Sequence, residues 1–158
     1  MKKIFIFDLD ETVIDSAHRT PNNPDGTLNL PAYMERHTPE NVARDTLLPF
    51  ARVMQSLKDS GAEIWILTAR DMLPCDYEFL QRHNITANKI MSRDRAKPKH
   101  YACKDGDYKR RWIQPLLNLR QFAKTHFVVF DDAAPVLSVM RKLGLTALNA
   151  KKLNARLA

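Results

Sequence analysis

The sequence predicts an α/β protein built on a central parallel β-sheet, and three observations carry that expectation. Apolar runs without polar alternation stand at residues 4–7 (IFIF), 64–67 (IWIL) and 127–130 (FVVF), the pattern of strands covered on both faces. Segments of helical periodicity separate them, so strand and helix alternate as crossover-connected parallel strands require. Each run also ends in polar residues: Asp8-Leu9-Asp10, Thr68-Ala69-Arg70 and Asp131-Asp132. Ligands of open parallel sheets bind beyond the carboxyl ends of the strands, so these three endings are expected to meet at one edge.

The elements follow in order. Residues 2–7 read as the first buried strand. Residues 16–45 hold Pro21, Pro24, Pro31 and Pro39 with Asn22-Asn23 and Asp25-Gly26, which is the chemistry of a loop or small insert. A helix is expected near 47–60, where Leu48, Ala51, Met54 and Leu57 form an apolar stripe and Gly61 suits the position after the helix. The strand at 64–67 leads to a helix near 74–83 and a short strand at 89–91. A helix near 106–123 carries Trp112, Ile113, Leu116, Leu117 and Leu119, with Pro115 placed to kink it. The strand at 127–130 is followed by a helix near 134–143 closing at Gly144, a short strand at 145–148 and a last helix.

The 158 residues, 44% hydrophobic and 27% charged, fit one globular domain spanning 1–158 with a real core. No apolar run reaches the length of a membrane span. The run behind Lys2-Lys3 is only four residues long before Asp8, too short for a signal peptide. A cytoplasmic protein without a membrane partner is therefore expected. Cys75 and Cys103 match no metal-binding spacing and are expected to be reduced thiols.

The net charge of +7 is local. Residues 89–124 carry eleven Lys and Arg against three Asp, so this stretch is +8 and the remainder −1. Such a patch is expected to meet a phosphorylated nucleic-acid end or a nucleotide. Tyr101, Tyr108 and Trp112 within it are candidates for base stacking, although Trp112 also fits the apolar stripe of its helix.

Four carboxylates brought to one pocket repel one another unless a cation sits among them. Hard oxygen donors suit Mg²⁺ better than zinc. With metal and phosphate present, one carboxylate serves as nucleophile, forming an aspartyl-phosphate. A second protonates the leaving group and later activates water. Thr68 offers a hydroxyl donor, and Lys109 and Arg70 offer positive charge for a phosphoryl group. Phosphate ester hydrolysis is the expected chemistry.

These residues resemble a known family. "FIFDLDET", "ILTAR", Lys109 and "VVFDD" are similar to the four motifs of the haloacid dehalogenase-like (HAD) phosphohydrolases, over residues 3 to about 148. The resemblance implies a three-layer, Rossmann-like fold with a small insert after the first strand. It implies Asp8 as nucleophile, Asp10 as acid and base, and Thr68 and Lys109 as phosphate-binding groups. It further implies Mg²⁺ held by Asp8, the backbone carbonyl of Asp10, and Asp131 or Asp132. Glu11 departs from the glycine that many members carry there.

A narrower resemblance is to the 3′-phosphatase domain of polynucleotide kinase–phosphatases. Arg19 follows Asp8 by eleven residues, Arg70 follows Thr68 by two, Asp105 precedes Lys109 by four, and the last strand ends in Asp131-Asp132. By resemblance, Arg19, Thr68, Arg70, Asp105 and Lys109 bind substrate, a 3′-phosphate on a nucleic-acid end. The kinase half is missing, since no G-x-x-x-x-G-K-[ST] occurs. Residues 16–46 look longer than the matching segment of that family and read as a cap or recognition insert. The alternative expectation is a 5′(3′)-nucleotidase or another small-metabolite HAD phosphatase. Oligomeric state is not readable from the sequence.

Overall fold

The structure, a computed structural model, describes residues 1–100 and 103–158. Strand β1 (Lys2–Phe7) leads into a short β2 (Ile14–Asp15). Helices α1 (Leu30–Arg36) and α2 (Pro39–Val42) precede β3 (Thr46–Leu47) and α3 (Phe50–Asp59). Then come β4 (Glu63–Asp71), α4 (Pro74–Arg82), β5 (Lys89–Arg93) and α5 (Asp105–Leu117). The chain ends with β6 (Thr125–Asp131), α6 (Ala134–Lys142), β7 (Thr146–Asn149) and α7 (Ala150–Leu157).

Five strands form one sheet in the order β5-β4-β1-β6-β7, and each pairing in it is parallel. Alternate residues of the central strands feed two cores. Phe7, Ile64 and Ile66 pack with Phe50 and Met54 of α3 and Phe79 of α4. Ile4, Ile6, Trp65 and Val129 pack with Ile113 of α5 and Val136 and Met140 of α6. The sheet is thus the middle of three layers, which explains why its strands are apolar on both faces. This is the expected fold class.

Register places the site. Phe7 stands level with Ile66 on one side and Phe130 on the other. The residues that follow, Asp8, Thr68 and Asp131, therefore emerge at one edge.

The segment read as loop or small insert at 16–45 holds two short helices, because Pro31 and Pro39 sit in first turns, where proline's missing N–H costs nothing. The side chains of Asn29 and Thr38 cap those turns. Antiparallel pairing of β2 with β3 closes the base of this insert. The helix expected over 106–123 stops at Leu117, two residues past Pro115, and a 3-10 turn at Arg120–Phe122 follows. Proline removes one helical donor, so little holds the helix beyond it.

Gly106 lets α5 approach α6: a Cβ there would lie 3.2 Å from Cγ2 of Val139. Asn154 of α7 donates to the Thr12 carbonyl at 2.9 Å and accepts from the Phe50 amide at 2.8 Å. It thereby pins the loop after β1. Both cysteines are free thiols, and among the described residues no helix is long and apolar enough to cross a membrane.

Candidate active site

The Asp8-Leu9-Asp10 stretch is held rigidly. The Asp8 amide donates to the Phe130 carbonyl at 3.0 Å, carrying the sheet pattern one residue past β1. Leu9 turns into the core with no exposed surface, so its neighbours on both sides face the sheet edge. Its carbonyl accepts from the amides of Thr12, Val13 and Ile14 at 3.0–3.1 Å. Glu11 in this turn has φ 58°, the left-handed conformation that favours glycine. Its Oε1 accepts from the Ser16 amide at 3.2 Å.

Asp8, Asp131 and Asp132 form a cluster whose ligand oxygens lie within 4.8 Å of one another. Lys109 of α5, 2% exposed, reaches Asp8 at 3.1 Å and Asp131 at 2.6 Å. Burial pushes the Asp8 carboxyl well above the usual range, Lys109 pulls it down in part, and Asp131 and Asp132 raise it again. Burial and then Asp131 likewise raise Asp132. Burial acts to lower Lys109, but Asp131 and Asp8 outweigh it and hold the ammonium well above its ordinary value. Three carboxylates against one ammonium leave the pocket net negative. Hard, closely spaced oxygens with that residual charge fit a magnesium ion.

Asp10 belongs to a separate group. Ser16 Oγ donates to its Oδ1 at 2.6 Å. Arg70 grips both carboxylate oxygens, with Nε 3.2 Å from Oδ2 and Nη2 on Oδ1. Burial works to raise the Asp10 carboxyl, yet the charge and hydrogen bonds of Arg70, with Ser16, bring it down to about 2. Arg70 is itself fixed: Nη1 donates to Asp76 at 2.8 Å, and its amide donates to Thr68 Oγ1 at 3.0 Å. That bond uses a lone pair of Thr68 and leaves the hydroxyl proton free to donate. Behind Asp76, His37 Nε2 lies 2.8 Å away, and His37 Nδ1 lies 3.3 Å from Asp71. Asp71 in turn pairs with Arg95.

The chain matches the family described as Bacteriophage T5 5'-deoxynucleotidase over residues 1–158. The protein belongs to that family. A relative, the 5'-deoxynucleotidase of Escherichia phage T5, is 28% identical over 171 residues, covering 98% of this chain and 69% of its own length. Among solved structures, a chain of the Pnkp1/Rnl/Hen1 RNA repair complex superimposes with a TM-score of 0.65 at 22% identity. That match covers 94% of this chain, which spans only 42% of the other. The haloacid dehalogenase-like family protein SP0104 from Streptococcus pneumoniae superimposes with a TM-score of 0.66 at 15% identity, over 94% of this chain and 84% of that one. At these identities the superpositions establish the fold, which is HAD-like.

Of the residues singled out from the sequence, the HAD-like fold brings Asp8, Lys109, Asp131 and Asp132 into direct contact or close approach. Asp10 and Arg70 stand beside Thr68 on the same edge, though the Asp10 carboxylate is not part of the acidic cluster. Arg19 is 1% exposed and bonded to Asp45 through Nε and Nη2, each at 2.9 Å. Asp105 pairs with Arg93 at 2.6 Å at the exposed start of α5, while Lys109 turns inward to the acids. One expectation is corrected. Tyr108 is 2% exposed with its hydroxyl accepting from Trp112 Nε1 at 2.9 Å, so it offers no face to a base. Tyr101 lies outside the described residues.

Sequence reasoning missed Ser16, His37, Asp45 and Asp76. Only Asp76 carried a signal: it is an acid in the first turn of a helix, and it accepts from the Leu73 amide at 2.7 Å. The others act through contacts 27 to 39 residues away in sequence, or through a hydroxyl like any other.

Proposed function

We propose that the protein is a magnesium-dependent phosphomonoesterase acting on deoxynucleoside 5′-monophosphates. The observation that carries this reading is the division of the carboxylates. Asp8 sits with Lys109 and two further acids in one pocket, while Asp10 is clamped separately by Arg70. A nucleophile and an acid–base group need unlike surroundings, and a cation held by the acids around Asp8 would keep the Asp8 carboxyl ionised for attack. Membership of the T5 5'-deoxynucleotidase family supports the substrate class.

In this mechanism the Asp8 carboxylate attacks phosphorus and the bond to the nucleoside oxygen breaks, leaving an aspartyl-phosphate. Asp10 gives a proton to the departing oxygen, then takes one from the water that hydrolyses the phosphoenzyme. Thr68 and Lys109 donate to the phosphoryl oxygens. Arg70 holds Asp10 in place. Magnesium would be held by Asp8, Asp131 and Asp132, with the Asp10 backbone carbonyl, and would offset the charge of the phosphoryl group. The insert at 16–46 serves as the cap over this edge.

A second reading, a polynucleotide 3′-phosphatase, draws on the +8 charge of residues 89–124. It loses ground because Arg19 and Asp105, on which it leaned, are engaged elsewhere. Turnover should be compared, with Mg²⁺, on deoxynucleoside 5′-monophosphates and on 3′-phosphorylated oligonucleotides. Preference for the monophosphates is expected, and preference for the oligonucleotides would reverse the assignment.

A further inference from the structure

We infer that the cavity over the ends of β4 and β5 is the seat of the nucleoside, the leaving group of the reaction; this rests on the nucleotidase reading above. The cavity measures about 390 Å³, within the ~300–1,000 Å³ usual for small-molecule sites. Its wall includes Asp71 and Arg93, the last residues of β4 and β5. Its lining begins with Asp71, three residues beyond Thr68, and continues onto β5. Since β5 stands two strands from β1, neighbouring-strand spacing puts it about 10 Å from the Asp8 strand. A nucleoside bonded to a phosphate at Asp8 extends over such a span.

The lining has the chemistry of a base and sugar site. Met72, Leu73, Ile90 and Trp112 supply apolar surface, and the rest of the wall is polar or charged, with Ser92, His100, two carboxylates and three basic side chains. Trp112 has its indole N–H tied to Tyr108 at 2.9 Å, which fixes the ring that faces the cavity. A fixed aromatic face is a stacking platform that any base accepts. A smaller cavity of about 190 Å³ borders Asp132 and Glu11 on the opposite side. Its volume falls below the usual range for such sites, and its lining of Glu11, Leu48, Asp132, Lys151 and Asn154 holds no aromatic ring.

The larger cavity is also joined to the chemistry. Arg95 and Asp71 in its wall are the outer end of the ion chain that runs through His37, Asp76 and Arg70 to Asp10. All its side chains except Arg95, at 41% exposure, and Asp10, at 26%, are at most 4% exposed. What occupies the cavity thus touches the same rigid assembly that holds the acid–base group.

The test fills the cavity. Ser92→Phe is expected to lower the ratio of kcat/KM on deoxynucleoside monophosphates to kcat/KM on p-nitrophenyl phosphate by about tenfold or more. An unchanged ratio in a folded variant overturns the inference. The second arm needs no catalysis: free deoxynucleosides should quench the fluorescence of wild-type protein, and Trp112→Phe should abolish the quenching. The other tryptophan, Trp65, is 3% exposed and should not respond. Absence of quenching at millimolar nucleoside overturns the seat even if the phosphatase is active. Quenching by nucleosides with no phosphomonoester turned over would instead keep the seat and remove the phosphatase reading.

Discussion

Arg70 holds Asp10 by both carboxylate oxygens, and Asp76 holds Arg70 from behind at 2.8 Å. The acid–base group of the proposed reaction is therefore oriented by Arg70, with Asp76 behind it. It also stands as a carboxylate, the form that accepts a proton from water. To protonate a leaving oxygen it must first gain a proton, which Arg70 and Ser16 oppose. The hold on Asp10 thus bears most on the step in which a poor leaving group departs.

Asp76 and His37 are positioning residues on this argument. Asp76→Asn or His37→Gln loosens Arg70, and with it Asp10. Loss of well-placed proton transfer costs on the order of 10²-fold or more when complete, so a partial loosening is expected to lower kcat on nucleotides by about tenfold. Turnover of p-nitrophenyl phosphate, whose leaving group needs little protonation, should fall less. Equal losses on both substrates would show a general structural effect in place of positioning.

Charge crowding at Asp8 leads to a test on stability. The carboxylate is buried among acids that Lys109 only partly neutralises. Asp8→Asn is expected to abolish turnover yet raise the melting temperature of the metal-free protein. Each kcal/mol relieved corresponds to roughly 2–4 °C in a chain of this size. Added Mg²⁺ should raise the melting temperature of the wild type and do so much less in the variant, since it has lost one ligand.

The same groups give the stability an unusual pH dependence. Asp8 and Asp132 have raised folded values, so they bind protons in the folded protein before they would in the unfolded chain. Their contribution is present at low pH and is lost as pH rises through their folded values. Asp10, at about 2, and Asp76 are lowered, and their contribution is lost as pH falls below the ordinary carboxylate value of 3.8. Metal-free protein should therefore be most stable at mildly acidic pH, with melting temperature falling on both sides. Magnesium needs deprotonated ligands, so it should move the optimum toward neutral pH. A metal-free profile that rises steadily to neutral pH would contradict this account.

The strands and their acidic ends were legible because burial on both faces forces apolar runs, and carboxylates stand out where such runs stop. Asp8, Asp131 and Lys109 meet as the motif order implied. What spacing did not reveal is which partner a charge prefers once the chain folds. Asp105 and Lys109 share a helical face, yet Lys109 finds two buried acids and Asp105 finds Arg93. His37 and Asp45 belong to an insert whose two short helices carry little periodic signal of their own. Pairing of Asp15 with Thr46 across β2 and β3 brings the ends of that insert together.

Arg19 is the sharpest case, and its role separates two accounts of the insert. Its guanidinium is bonded twice to Asp45 and lies 5.6 Å from the Tyr33 ring centroid. Among the described residues, its Nη1 and the Tyr33 hydroxyl are buried without a hydrogen-bond partner. Removing Arg19 leaves the buried Asp45 carboxylate with only His18 at 2.8 Å and Arg70 at 3.7 Å, so the loss approaches that of a broken buried pair, about 3–5 kcal/mol. Arg19→Ala and Asp45→Asn are both expected to lower the melting temperature sharply, with KM for nucleotides little changed in the folded fraction. Tyr33→Phe removes a buried hydroxyl whose polar neighbour is the Arg19 guanidinium, and should lower stability by no more than about 1 kcal/mol. Substrate binding by Arg19 would give the opposite pattern: a raised KM in Arg19→Ala, with the melting temperature close to that of the wild type.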